Sequence, residues 1–489
     1  MPPGLLASDF VHLLPEIVLT IGALLMLVVD VLAPARRAML TGVALAVLAV
    51  TLGAVVRDLH VDVSIAGGLL AVDGFGTFFK VTFLVVGMLT VMMSHRYLAI
   101  ERVSPGEYHF LVLCATLGMM VMAAATDLIS GFIGLETMAV SFYILTGYIK
   151  PNPRSNEAAV KYFLLGAFSL AIMLYGMSIL YGVSGTTHLL AMAPVIAGQE
   201  RDPRLLLAVV LIVAGLGFKI AAAPFHMWAP DVYEGAPTPV TAFLSVGSKA
   251  ASFAMLFRIF GQGLPALVSD WSLLFEVLAI VTMTVGNVAA MTQSNIKRML
   301  AYSSIAHGGY VLIGVVAGTT RGVSAALFYL AVYALMQLGA FAVVILLRRA
   351  DAIGDELKDL AGLSGRHPFA AFAMLLFLLS LGGTPPTAGF MGKFRLFAAA
   401  IDSGHVALAV FGVLNSVLSL YYYLRIVMFM YQRGEASGSE PRFTPLLAST
   451  VAVAAVGTLV LGVYPTLLID AADASARALG AVSTIAQQR

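Results

Sequence analysis

The sequence predicts an all-α polytopic membrane protein of about fourteen transmembrane helices. Three observations predict it. Of 489 residues, 60% are hydrophobic and only 11% charged, with a mean hydropathy of +0.95; a soluble domain carries about 25% charged residues. Apolar runs near the spanning length of about 20 residues recur between polar or proline-rich breaks. They lie near 11–33, 37–56, 72–94, 107–126, 128–149, 157–183, 205–228, 240–262, 271–292, 297–319, 322–348, 368–402, 405–431 and 444–466. Two of these runs are interrupted by prolines and still carry lysine at depth.

Taken in order, the first run follows ten residues without a positive charge and is too long for a signal-peptide core, so it reads as the first membrane helix. A lone cysteine, Cys114, excludes an internal disulfide and an iron–sulfur cluster held by about four thiolates. With the N-terminus outside, loops after odd-numbered runs hold fourteen Lys and Arg residues, Arg36, Arg349, Arg433 and Arg442 among them. The other side holds six, including Arg201 and Arg489. The positive-inside rule then puts both termini on the outer side of the membrane. Eight basic residues remain within the runs: Lys80, Lys161, Lys219, Lys249, Arg258, Lys393, Arg395 and Arg425. Arg258 and Arg425 read as structural, snorkelling or paired.

The stretch 215–249, GLGFKIAAAPFHMWAPDVYEGAPTPVTAFLSVGSK, joins runs seven and eight. Pro224 removes a helix hydrogen bond and clashes with the preceding turn. At membrane depth such a break is tolerated only inside protein or beside a wet cavity. Asp231 to Glu234 reads as an acidic hairpin. A second break, GGTPPTAGFMGK, interrupts run twelve at Pro385-Pro386, just before Lys393. Pro224 and Pro386 are five runs apart, and a five-helix repeat must insert its second copy upside down. The predicted organisation is therefore an N-terminal three-helix segment (1–106), two inverted five-helix repeats (107–262 and 271–432), and a C-terminal helix and tail (443–489), with helices 7 and 12 broken. Matching broken helices mark transport sites in inverted-repeat transporters.

The residues fitted to transport are few. Glu136 is a lone acid midway along run five, and a nearby lysine would keep it ionised; the pair alternatively serves packing alone. Lys219 and Lys249 have no carboxylate on their own runs, and unpartnered buried lysines titrate near neutrality in proteins. Lys161 sits beside a loop, where snorkelling explains it as well as function. Lys393 follows the second break. His226 and His307 lie at depth, where histidine relays protons or simply packs. Glu16, Asp30, Asp73 and Glu276 lie near run ends and read as interfacial. A sodium or calcium path needs clustered oxygen ligands; this interior is mostly lysine, which suits protons. No phosphate loop, HExxH or CxxC is present, and Gly215-Leu-Gly217 lacks a third glycine.

The segments 224–251, 159–176, 295–310 (NIKRMLAYSSIAHGGY) and 383–394 (GTPPTAGFMGKF) resemble the antiporter-like membrane subunits of respiratory complex I. The resemblance covers essentially all fourteen runs. It implies a proton-translocating subunit of a bacterial NADH:quinone oxidoreductase, in the plasma membrane, driven by redox chemistry elsewhere. It implies Glu136 and Lys219 as the coupling pair, Lys249 as the connecting lysine, Lys393 as the helix-12 lysine, and Lys161, His226 and His307 in support. No cofactor or metal is expected in this subunit; NADH, FMN, iron–sulfur clusters and quinone belong to partners. The partners expected are a neighbouring antiporter-like subunit of M type, small subunits of K, J, A and H type, and lipid. The chain runs only about 23 residues past run fourteen, too short for the lateral helix of the longest members. A multisubunit cation/proton antiporter and a non-pumping scaffold are the alternative readings.

Overall fold

The computed structural model describes residues 6–32, 37, 39–199, 202–348, 354–432 and 443–486. Arg36, Arg201, Arg349, Arg433, Arg442 and Arg489, used above for orientation, lie outside them. The main helices, in chain order, are α1 (Leu14–Leu32), α2 (Leu40–Arg57), α3 (Gly74–Glu101), α4 (Pro105–Ala124), α5 (Leu128–Thr146) and α6 (Pro153–Ser184). There follow α7 (Pro203–Lys219), α8 (Trp228–Gly235), α9 (Thr238–Gly263), α10 (Pro265–Met291), α11 (Ile296–Val316) and α12 (Thr320–Leu347). The last are α13 (Pro368–Gly382), α14 (Ala388–Asp402), α15 (Val406–Tyr431), α16 (Pro445–Val463) and α17 (Thr466–Ala486). Among the described residues, twelve are long and apolar enough to cross a membrane; α7, α8, α13, α14 and α17 are not among them.

The two expected runs without an unbroken helix are the proline-broken ones. Helix α7 stops at Lys219, five residues before Pro224, and the chain resumes helix at Trp228. Proline cannot accept the helix in front of it, because its ring meets the carbonyl four residues back. The freed groups are satisfied internally. The Trp228 indole donates to the Phe218 carbonyl (2.9 Å), and the Ala223 N–H to the Thr282 hydroxyl (3.0 Å). The second break runs from Gly382 to Ala388, with Gly383 in the left-handed region at φ 83°. There the Gly389 N–H donates to the Ser380 hydroxyl at 3.0 Å.

The core is the three helices α9, α11 and α12, which are buried almost throughout, while α1, α2 and α16 form the rim. Close backbone approach between apolar helices needs small residues. Gly118 against Gly134 joins α4 to α5, and Gly286 and Gly309 join α10 to α11, where an added Cβ would lie under 3 Å from the facing backbone. Helix α9 is not a plain helix. It widens into π turns at Leu244–Ser248 and Ile259–Gly263, just before Lys249 and just after Arg258.

Two expectations are corrected. Residues 231–234 are not a hairpin but part of α8, which sets Asp231 and Glu234 on one helical face. Asp73 and Glu16 are not interfacial. Asp73 is fully buried, caps α3 through the Gly76 N–H (2.7 Å) and takes both Arg258 guanidinium nitrogens at 2.9 Å, while Glu16 pairs with Lys80 at 2.7 Å. The tail is α17, which lies across the starts of α3 and α12 and the end of α9, covering that end of the molecule. Its Ser475 and Ala478 pack on Gly74, next to Asp73. A two-stranded antiparallel hairpin, β1 (Val63–Ile65) with β2 (Leu70–Val72), lies just ahead of α3.

Replacing Arg258 with alanine leaves the Asp73 carboxylate buried and unpaired, a loss of ~3–5 kcal/mol; membranes are expected to hold much less subunit, and an unchanged level by immunoblot would contradict this account. At Gly389 a Cβ would overlap the Ser380 carbonyl oxygen. Gly389→Ala is therefore expected to cut the amount of assembled subunit sharply, while Gly365→Ala, with nothing within 4 Å, leaves it unchanged.

Candidate functional site

The site begins where α7 ends. Lys219 is its last residue, 2% exposed, at the end of a helix whose carbonyls and dipole favour a cation. Its ammonium lies 3.3 Å from the Tyr143 hydroxyl. It also sits 5.2, 5.7 and 5.9 Å from the ring centres of Tyr143, Tyr162 and Phe218, within cation–π range. Glu136, half-buried on α5 two turns before Tyr143, acts on Lys219 and Tyr143 across space rather than through a closed ion pair.

Lys249 comes next, directly after the first π turn of α9. It donates to the backbone carbonyl and the hydroxyl (2.7 Å) of Ser304 on α11, and lies 5.8 Å from the Tyr333 ring. Gly308 marks how close the two lysine sites come. A Cβ there would lie 3.2 Å from the Ile220 carbonyl, next to Lys219, and 3.7 Å from the Lys249 nitrogen. One bare spot on α11 thus faces both the broken end of α7 and Lys249.

His307, one turn along α11 from Ser303 and Ser304, is held at both ring nitrogens. Nδ1 meets the Tyr329 hydroxyl at 2.6 Å and Nε2 the Tyr423 hydroxyl at 3.0 Å. A neutral imidazole donates at one nitrogen and accepts at the other, so rotating phenol hydroxyls let a proton arrive on one side and leave on the other. The Tyr423 hydroxyl also meets Ser303 at 2.6 Å. Next to it, Tyr422 donates to Asn287 Oδ1 (3.0 Å), and Asn287 Nδ2 donates to Asn415 (3.1 Å) and towards Tyr310 (3.4 Å). The Tyr310 ring carries the Lys393 ammonium 4.5 Å from its centre. Lys393 in turn donates to Ser416 (2.9 Å) and to the carbonyl of Gly382 (3.2 Å), the last residue of α13. Both broken helices therefore offer their carboxyl ends to a buried lysine.

The other expected residues fall elsewhere. Lys161 stands at the basic end of the molecule, paired with Asp231 (2.7 Å) and Glu157 (2.8 Å), while Arg298 pairs with Asp231 (2.8 Å) and Glu234 (2.9 Å). With Arg154 they line a cavity of about 210 Å³. Burial would raise the Asp231 carboxyl, but hydrogen bonds from Lys161 and Arg298 outweigh it and hold the group below its ordinary value. The stabilisation from this pairing is present above the ordinary carboxyl pKa and is lost as pH falls through the lower folded value. Lys297, one of the fourteen basic residues that the sequence assigns to loops on the basic side, is buried and donates to the Glu234 and Ala236 carbonyls at 2.7 Å. His226 lies on the turn after α7, half-buried, beside the 77%-exposed Met227, and is not drawn into the lysine–histidine path. Arg395 pairs with Asp473 of α17 at 2.8 Å.

Ser303, Ser304 and Tyr310 are legible in the sequence as polar neighbours of His307; Tyr143, Tyr329, Tyr423, Asn287, Asn415 and Ser416 were missed. The signal available was the recurrence of tyrosine and amides within otherwise apolar runs, as in Tyr421-Tyr422-Tyr423. Among the described residues, no group of three His, Cys, Asp or Glu side chains could hold a metal ion.

A family profile described as NADH:quinone oxidoreductase/Mrp antiporter, TM, matches residues 125–419. NADH-quinone oxidoreductase subunit N of Trichlorobacter lovleyi is 45% identical, with 94% of this chain and 96% of that protein covered. Subunit N 2 of Rhizobium meliloti is 46% identical over the same shares. Among solved structures, a chain of respiratory complex I from Thermus thermophilus superposes with TM-score 0.81 at 34% identity, covering 94% of this chain and 99% of that one. A chain of the Mrp complex from Dietzia sp. gives 0.84 at 24% identity, covering 98% and 99%, a likeness of fold. The chain belongs to the antiporter-like membrane-subunit family shared by NADH:quinone oxidoreductases and Mrp antiporters, on the side of the NADH-quinone oxidoreductase subunit N proteins.

Proposed function

We propose that this chain is a proton-translocating membrane subunit of an NADH:quinone oxidoreductase, and that its protons move along Lys219, Lys249, His307 and Lys393. One observation carries the path. Three buried lysines are spaced along one axis with hydroxyl, imidazole and amide groups between them, and none of the three closes an ion pair with a carboxylate. Such lysines can exchange protons, whereas a metal cation would meet fixed positive charge and few oxygen ligands. Glu136, near Lys219 without neutralising it directly, sets how tightly Lys219 holds its proton.

The same reading places the basic end in the cytoplasm of a bacterial cell and α17 with both termini on the outer side. The charged cavity at Lys161 and Asp231 then faces the proton supply, and Lys393 lies towards release. NADH, FMN, iron–sulfur clusters and quinone are assigned to partner subunits, with an M-type antiporter-like subunit and the smaller K, J, A and H types beside this one. Two inverted five-helix units agree with the Gly118–Gly134 and Gly286–Gly309 contacts, each of which joins the first two helices of its unit.

In the purified complex, reconstituted into vesicles, Lys219→Ala and Lys393→Ala are each expected to slow coupled proton pumping roughly tenfold or more. Unchanged protons per NADH in both variants would overturn the path. Pumping dependent on sodium in the chain alone would favour the antiporter reading.

A further inference from the structure

By hydrogen bonds, the way from His307 towards Tyr310 and Lys393 runs through one side chain, Asn287 on α10. His307 Nε2 meets the Tyr423 hydroxyl, Tyr423 meets Tyr422, and Tyr422 donates to Asn287 Oδ1 at 3.0 Å. On its other side Asn287 Nδ2 donates to Asn415 Oδ1 (3.1 Å) and to the Tyr310 hydroxyl (3.4 Å). Among the described residues, no other run of hydrogen bonds joins His307 to Tyr310. The Lys393 ammonium lies against the Tyr310 ring.

Both amides are held one way round. Asn415 Nδ2 donates to the Phe411 carbonyl (3.0 Å), which can only accept. It also donates to the Thr284 hydroxyl (3.3 Å), whose own hydrogen goes to the Ile280 carbonyl (2.8 Å). Asn415 therefore turns its oxygen to Asn287, and Asn287 must answer with its amide nitrogen. That leaves Asn287 Oδ1 for Tyr422. Both asparagines are buried, so bulk water does not compete for these bonds.

A hydroxyl accepts and donates through one atom, and an imidazole through one conjugated ring. A primary amide accepts at oxygen and donates at nitrogen. Its oxygen is too weak a base to take a proton from a phenol, and its nitrogen too weak an acid to release one. A proton that reaches Tyr422 goes no farther while Asn287 keeps this position.

We propose that Asn287, locked by Asn415, is a proton barrier between His307 and Lys393 and serves as the gate of the path. This rests on the path proposed above and deepens it. Transfer to Lys393 waits until a shift of α10 against α15 takes Asn287 out of line between Tyr422 and Tyr310. In the locked arrangement a proton on Lys393 cannot return to His307 along these groups, so the gradient does not drain back through the subunit. Both asparagines are positioning residues.

The test uses the intact oxidoreductase in proteoliposomes, comparing the native enzyme with Asn287→Asp, Asn287→Ser, Lys393→Ala and Asn287→Asp combined with Lys393→Ala. A protonated aspartate has the shape of asparagine, keeps the bonds to Tyr422 and Asn415, and can accept at one oxygen while donating from the other. With subunit content unchanged, Asn287→Asp is expected to make vesicles lose an imposed pH gradient severalfold faster without NADH. Its NADH oxidation without uncoupler is expected to rise towards the uncoupled rate. Asn287→Ser, whose single oxygen both accepts and donates, is expected to leak likewise, and carries the expectation alone should the aspartate variant fail to assemble. Adding Lys393→Ala is expected to make the vesicles tight again. Tight vesicles in the assembled Asn287 variants, whether pumping is normal or reduced, would overturn the barrier and leave the path standing. A leak that survives Lys393→Ala would show protons bypassing the path, and would also overturn the barrier. Normal pumping in Lys393→Ala alone would overturn the path and the gate with it.

Discussion

Everything in this molecule is arranged around the difficulty of keeping an ammonium group in the middle of a membrane. A lysine there costs roughly 2.5–3.5 kcal/mol on insertion scales. Lys219 is held at the carboxyl end of α7, and Lys393 reaches the carboxyl end of α13. A helix end supplies unsatisfied carbonyls and about half a negative charge. It favours the cation without neutralising it, as a contacting carboxylate would. Aromatic faces around Lys219, Lys249 and Lys393 do the same more weakly. The helices are broken because only a break brings such ends to mid-membrane.

This choice of partner explains the rest of the interior. A carboxylate beside each lysine would fix the proton; hydroxyls and imidazole pass it on. The ion pairs that do close are kept away from the path. Asp73–Arg258 and Arg395–Asp473 lock the end covered by α17, and Glu16–Lys80 ties α1 to α3. The Lys161–Asp231–Arg298–Glu234 cluster sits at the basic end. Charge is neutralised where rigidity is needed and left partly uncompensated where it has to move.

Much of this was legible in the sequence. Runs of apolar residues fixed the long helices, because the bilayer sets their length. Pro224 and Pro386 marked the breaks, because proline cannot be accommodated inside a helix. Lys219, Lys249, Lys393 and His307 stood out by being charged or titratable at depth. Tyr329 and Tyr423 did not. Tyrosine in an apolar run reads as packing until its partner is known, and His307, Tyr329 and Tyr423 come from three different helices. Asp73 was misplaced for the same reason, since its partner Arg258 lies 185 residues away. His226 failed in the other direction. It is next to the break in sequence, but the turn carries it to the flank.

The shape of α8 shows how the two ends of the site are tied together. Because residues 228–235 are helical, one face holds Asp231 and Glu234 against Arg298, while the start of the same short helix stacks Trp228 against both Tyr162 and Phe218. Those two rings are among the three that surround the Lys219 ammonium. The Trp228 indole also holds the Phe218 carbonyl at the end of α7. The charged cavity and the buried lysine are thus joined by eight residues of rigid helix rather than by a loop. Any displacement of α8 by its ion pairs must carry Trp228 with it, and so must alter the surroundings of Lys219. A hairpin in this place, as the acidic residues first suggested, would leave the two sites mechanically independent.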